Sequence, residues 1–403
     1  MPTRRALLAF GGAALAAPHS GHGVAQEASP TSGTEPPEPV PMFRGNPART
    51  GVLLGPALRR TPTVRWRTEL GADIDSSPAV ANDTVYVVTG DLNVGPGTLF
   101  ALEADTGAER WRVPAEGGDL AGSPAVVDGV VYVGGDALYA VDAMTGQHRW
   151  RLATDGRVQS SPVVADGTVY VGGTDGAVYA VEAATGAERW RVATKELGGI
   201  AYIASSAAVV DGVVYIGSNA GFLYALDAAT GREHWSAPTN SGPYQNSVPA
   251  VADGMVYLGS AKAELFAVDA ATGTVRWTFN VGGANIVHAS PAVGGGVVYV
   301  ASMSGRLYAL DAATGDPHWT FTPDSQARAM HASPVLVDDV VYVGSLDGVL
   351  HAVDATTGVE LWQFATGEEI VSSVTVADGV LYLGSSDQAV YALADDEIAS
   401  PVA

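Results

Sequence analysis

The stretch YALDAATGREHW, Tyr224 to Trp235, places an aromatic strand, a small-residue turn and a tryptophan in succession. Its core, a glycine after threonine with tryptophan four residues on, recurs at Gly107/Trp111, Gly146/Trp150, Gly186/Trp190, Gly231/Trp235, Gly273/Trp277, Gly315/Trp319 and Gly358/Trp362. Trp66, in TVRWRTEL at 63–70, is the eighth and last tryptophan and lacks the Thr-Gly. From Trp66 to Trp362 the mean spacing is about 42 residues, within the roughly 40–50 of a propeller blade.

Working outward, each repeat resolves into four short strands. Strand A follows a Ser-Pro signal (Ser77-Pro78, Ser123-Pro124, Ser161-Pro162, Ser290-Pro291, Ser333-Pro334, with variants elsewhere), and an ADG or VDG turn leads to strand B around a VYV triplet. Strand C carries LYAL or a close relative, and strand D follows the Thr-Gly turn and carries Trp. Alternating apolar residues bounded by Gly, Asp and Asn turns are the signature of a β meander. The turn glycine is expected at positive φ, with Asp227 and its equivalents accepting N–H groups across the turn. The alanine that opens the motif, Ala225 in this copy, is small where a neighbouring indole is expected to lie flat, so that each Trp fastens adjacent blades.

The ends of the array predict closure. The last repeat, 372–395, has strands A, B and C but no Trp strand, whereas Trp66 sits in a D strand with nothing before it. Pairing them predicts an all-β, eight-bladed β-propeller of four-stranded antiparallel blades, closed by the N-terminal strand, over residues 42–395.

Composition bounds the rest. The 403 residues include 49 Gly, 23 Pro and no Cys, and 47% are hydrophobic, which suits a turn-rich β protein and excludes disulfides, zinc-thiolate sites and thiol catalysis. A formal net charge of −22 argues against a nucleic-acid partner, which needs a basic surplus. Past the N-terminus no apolar run approaches membrane-span length, so no span is expected. Arg4-Arg5 before a Gly/Ala-softened apolar stretch and a small-residue site predicts a twin-arginine export signal over 1–25. A Pro/Glu/Ser/Thr linker is expected over 26–41 and a tail over 396–403, with the mature chain extracellular, at the cell surface or periplasmic, and monomeric.

The pattern A-x-D-x-x-T-G-x-x-x-W, as in ALDAATGREHW and AVDAATGTVRW, resembles the tryptophan-docking motif of pyrroloquinoline-quinone (PQQ) repeat propellers. The resemblance covers 41–395. It implies an eight-bladed fold and leaves two functions open, because the superfamily holds both quinoprotein alcohol dehydrogenases and non-enzymatic BamB-type assembly factors. For the enzymes it implies PQQ in the central channel, between a vicinal-cysteine disulfide ring and a Trp, with calcium held by Glu, Asn and Asp. This chain has no cysteine, and all eight tryptophans, Trp66, Trp111, Trp150, Trp190, Trp235, Trp277, Trp319 and Trp362, occupy docking positions. The favoured reading is therefore a non-catalytic binding scaffold without a cofactor, its partner a protein or cell-surface polymer of the envelope. The alternative is a PQQ- and calcium-dependent alcohol or sugar dehydrogenase. A lipobox cysteine of the BamB kind is absent.

Internal comparison places the candidate face. The A-to-B and C-to-D spacings are constant, while the D-to-A connections vary, and in a propeller the D–A and B–C loops share one face. That face carries Asp73, Asp75, Arg157, Gln159, Tyr202, Tyr244, Gln245, Asn246, His288, Arg328, His331 and Glu369. His288 and His331, each three positions before a strand-A proline, lack a specified third metal ligand and read as rim or capping residues. Asp73 and Asp75 approach Glu368 and Glu369 on closure, where solvated acidity is preferred over a calcium site. DLNVGPG at 91–97 reads as a long turn rather than a calcium loop. No nucleophile–base pair, P-loop or dinucleotide motif is present.

Overall fold

The computed structural model describes residues 42–90, 97–115, 120–194, 202–239, 247–282, 287–323 and 329–395. The expected leader, linker and tail, Tyr244, Gln245, Asn246, Arg328 and nearly all of the 91–97 turn lie outside the described residues.

Blade four shows why the repeat folds as it does. Its strands are Ala208–Val210, Val213–Ser218, Phe222–Asp227 and Glu233–Pro238, antiparallel in sequence order. Asp211 and Gly212 join the first two at φ of 49° and 74°, a pair of left-handed residues whose twist matches the strands they connect. At the next hairpin but one, the Asp227 carboxylate accepts the Thr230 N–H at 2.9 Å and its hydroxyl at 2.6 Å, and Gly231 adopts φ of 72°. Strands B and C are buried almost throughout, while strand D alternates toward solvent.

Eight such sheets occur. Thr63–Glu69 pairs antiparallel with Ala389–Ala394, Trp66 opposite Ala392, so the expected closure by the Trp66 strand is present. Neighbouring blades are fastened by a repeated three-group contact. Trp190 Nε1 donates to the Ala228 carbonyl at 2.9 Å and the Tyr170 hydroxyl donates to the same oxygen at 3.1 Å, the two rings 5.9 Å apart. The face of seven of the eight indoles, all but Trp362, rests on the turn glycine of the next blade rather than on the motif alanine that the sequence suggested. A Cβ on Gly231 would lie 2.8 Å from Trp190 Cε3, whereas Ala225 faces Trp235 of its own blade.

An element without a counterpart in the repeat pattern fills the channel. Residues 42–53 run along the inner strands, and Val52–Leu53 pairs in parallel with Leu336 and Val337 of blade seven. The N–H groups of Val209, Val251, Val293 and Leu336, one from each of blades four to seven, donate to the carbonyls of Pro47, Ala48, Thr50 and Gly51 at 2.8 to 2.9 Å. These donors face the axis because strand A has no partner on its inner side, and the segment satisfies them.

Candidate functional site at the channel mouth

The Ser-Ser-Pro step before strand A builds the mouth. At blades one, three and eight a first serine clasps its own blade, as where Ser160 Oγ donates to the Gly172 carbonyl at 3.1 Å and accepts the Gly172 N–H at 2.8 Å. The second serine links blades, since the Ser77 N–H donates to Ser123 Oγ at 2.9 Å and the Ser123 N–H to Ser161 Oγ at 2.8 Å. The relay continues through Ser206, resumes at Ser290, Ser333 and Ser373, and returns to Ser77 Oγ at 2.9 Å. Val248 takes the eighth place and interrupts the ring between blades four and five.

Just below that ring lie two buried cations. Arg49 Nε donates to Ala207 O at 3.0 Å, and its Nη2 to Ser161 O at 3.1 Å and Pro162 O at 2.8 Å. Arg44 Nη1 donates to Pro334 O at 2.6 Å and Nη2 to Pro291 O, while its Nε has no partner. Arg49 is fully buried and Arg44 3% exposed. Burial pushes both guanidiniums down to about 9, and Arg44 is lowered further by facing Arg49. Both remain charged at neutral pH, and among the described residues neither meets a carboxylate.

Above the ring, a cavity of about 290 Å³ opens to solvent, with Phe43 among its lining residues and Asp75, Gln159, His288 and His331 at its rim. The rim positions share one cause. In five of the D–A loops an apolar residue is pinned against a strand-B glycine of the preceding blade: Ile74 against Gly384, Val158 against Gly134, Ile203 against Gly172, Val287 against Gly259 and Ile370 against Gly344. The residue after this anchor reaches the mouth, giving Asp75, Gln159, Ala204, His288 and Val371, with His331 following buried Met330 in the same way. The residue before the anchor does not. Asp73, Arg157, Tyr202 and Glu369 instead offer their carbonyls to the N–H groups of Gly90, Thr174, Asn219 and Ser386 in the adjacent B–C loops, and their side chains do not line the cavity. The anchors are legible in the sequence as an apolar residue four positions before the strand-A proline position, in seven of the eight repeats.

His288 and His331 stack with centroids 5.0 Å apart and planes 25° from parallel. Burial lowers His288 to about 4, with His331 adding to the effect, and burial lowers His331 as well. Their nearly parallel planes do not converge on one ion as two cis ligands would. Among the described residues no three His, Asp or Glu group to hold a metal.

The repeat, the ring and the docked indoles agree with sequence comparison. A family model described as outer membrane protein assembly factor BamB matches residues 95–248, 174–319 and 325–397. The chain belongs to this BamB-like family of PQQ-repeat propellers. No curated protein matches. Among solved structures, BamB from Moraxella catarrhalis is 21% identical, covering 83% of this chain and 100% of its own, with a TM-score of 0.67. A europium-containing methanol dehydrogenase is 15% identical over 89% of this chain and 98% of its own, with a TM-score of 0.75. A quinohemoprotein alcohol dehydrogenase from Pseudomonas putida HK5 is 16% identical over 91% and 82%, with a TM-score of 0.73. At these identities the likeness is one of fold, and both branches of the family share it.

Proposed function

We propose that the chain is an exported, non-catalytic binding scaffold of the cell envelope, a monomer that presents its D–A and B–C loop face to a protein or cell-surface polymer. The observation that carries this reading is the occupied channel. Where the family resemblance would put a quinone and its calcium, the axis is taken by residues 42–53, hydrogen-bonded to four successive inner strands. All eight indoles donate to backbone carbonyls across blade boundaries, as Trp66 does to Ala104 and Trp362 to Leu58, so none is left to stack on a quinone. The chain has no cysteine for the opposing side of such a sandwich. These residues do not fit the PQQ–calcium pair. Protein partners in the envelope are what the BamB likeness suggests, and Arg4-Arg5 suggests the export route.

Two measurements test the reading. PQQ is expected to give no calcium-dependent rise in melting temperature and no dye-linked oxidation of alcohols or sugars, since a ligand selective for the folded state would stabilise it. The combined change Tyr202→Ala, Tyr244→Ala and Arg328→Ala is expected to leave melting nearly unchanged and reduce capture of an envelope partner by the mature chain, because loop aromatics and arginines contribute most to binding. Calcium-dependent PQQ binding with turnover would transfer the chain to the oxidoreductase branch.

A further inference from the structure

We infer that the channel mouth is a receptor for a small oxyanion: a carboxylate, sulfate or phosphate group entering from the loop face. The inference goes beyond the scaffold reading and does not depend on it, since such a receptor would serve a binder and an enzyme alike.

The first observation is the direction of the ring hydroxyls. Each of the seven serine Oγ atoms accepts an N–H from the preceding blade, at 2.8 to 3.2 Å. Among the described residues none of these hydroxyls donates in return. A hydroxyl has one proton and two lone pairs. With the wall side taken up by accepting, the proton is left to point toward the cavity that all seven serines line. The serines are 3% to 7% exposed, so these are buried donors converging on one axis without acceptors. A group that only accepts, as an ionised carboxylate or sulfate does, satisfies them. A sugar hydroxyl would bring a competing donor with every acceptor.

The second observation is charge. Arg49 bonds the carbonyls of Ser161, Pro162 and Ala207, and Arg44 those of Pro291 and Pro334, so both guanidiniums sit within one residue of the serine ring. Two buried positive charges without a carboxylate partner are costly, and an anion just above them offsets part of that cost. Phe43 joins the two layers: its ring lines the cavity and has the Arg49 guanidinium 5.7 Å from its centroid. The floor is thus an aromatic ring backed by a cation. Among the lining residues Asp75 is the one carboxylate, exposed on the blade-one side of the rim. A chain of net charge −22 repels anions at long range, so binding here would be a local effect of the donors and guanidiniums.

The experiment is titration of the full chain with sodium sulfate, inorganic phosphate and sodium acetate against chloride at constant ionic strength, by calorimetry and by melting temperature. It is run in parallel on Val371→Glu, which sets a carboxylate at the half-exposed rim, on Val371→Gln as the neutral control, and on Ser290→Ala, which removes one donor. At least one oxyanion is expected to bind saturably and raise the melting temperature. Val371→Glu should weaken its affinity at least tenfold, Val371→Gln by less than threefold, and Ser290→Ala by an intermediate factor if its circular dichroism is native. A peptide with a free C-terminal carboxylate against its amide, and glucose 6-sulfate against glucose, then separate a protein source from a polymer source. Equal stabilisation of wild type, Val371→Glu and Val371→Gln would mean general salt exclusion and overturn the inference, as would glucose binding as tightly as its sulfate.

Discussion

Trp362 Nε1 donates a 2.8 Å hydrogen bond to the carbonyl of Leu58, 304 residues earlier in the chain. In the other seven copies the acceptor is the alanine of the next blade's Thr-Gly turn. Blade eight is stitched from both ends of the repeat array and has no such turn, so the Leu58 peptide stands in for it, and Tyr342 closes on it by bonding both the Leu58 N–H and carbonyl. The circle is therefore fastened twice, by the Trp66 strand and by the segment before it.

Leu58 is 1% exposed and packs with blades seven and eight. Leu58→Ala is expected to destabilise by about 2–5 kcal/mol, the range for emptying a buried leucine site. Urea denaturation measures it, and a loss under about 0.5 kcal/mol would mean the seam does not depend on this residue.

Gly231 and Gly129 both sit at positive φ, 72° and 71°, yet only Gly231 lies under an indole. Gly129→Ala meets nothing within 4 Å and should cost about 1 kcal/mol of backbone strain. Gly231→Ala adds overpacking against Trp190 and Val192 and should cost about 1–3 kcal/mol more. Similar losses from the two changes would deny the interlocking of indole and turn.

Arg49 and Arg149 offer a contrast between a buried and an exposed cation. Arg149 pairs with Asp142 at 2.7 Å on the surface, and Arg149→Met should change stability by less than about 1 kcal/mol. Arg49→Met strips partners from carbonyls on two blades and on the channel segment, so a loss of at least about 3 kcal/mol is expected from several buried acceptors left unpaired. If calorimetric melting separates the two variants by less than 2 °C, the channel segment is not held by its arginines.

Acid should loosen the mouth before it titrates the surface carboxylates. Burial keeps His288, down to about 4, and His331 below their ordinary value, so the unfolded chain takes up protons that the folded chain resists. Their contribution is intact above about pH 6.5 and is lost as the pH falls toward 4. The partnered carboxylates of Asp142 and Asp269, held down to about 2 by Arg149 and Arg276 respectively, lose theirs only below the ordinary carboxylate range. Melting temperature recorded from pH 7.5 to 4.5 should fall, and the double variant His288→Asn, His331→Asn should flatten that slope. An unchanged slope would show that the pair does not control it.

What the sequence determined is whatever is local and repeated. Thr230-Gly231, Asp211-Gly212 and the Trp235 phrase each encode a turn or a strand within a dozen residues, and repetition multiplied a weak signal until blade number and the closure of the last repeat by the Trp66 strand could be read. Tertiary structure alone decided what depends on groups far apart in the chain. Arg44 and Arg49 look in sequence like any solvated cations near an N-terminal linker, and nothing in their spacing announces that inner strands of blades four to seven will claim the backbone beside them. The same holds for the division of the loop residues. Gln159 reaches the mouth and Arg157 does not because Val158 between them is pinned on Gly134, and for the serines the sequence showed a strand signal where packing made a ring. Periodic contacts leave a periodic trace, whereas a contact made once, between distant residues, is settled only when the chain closes.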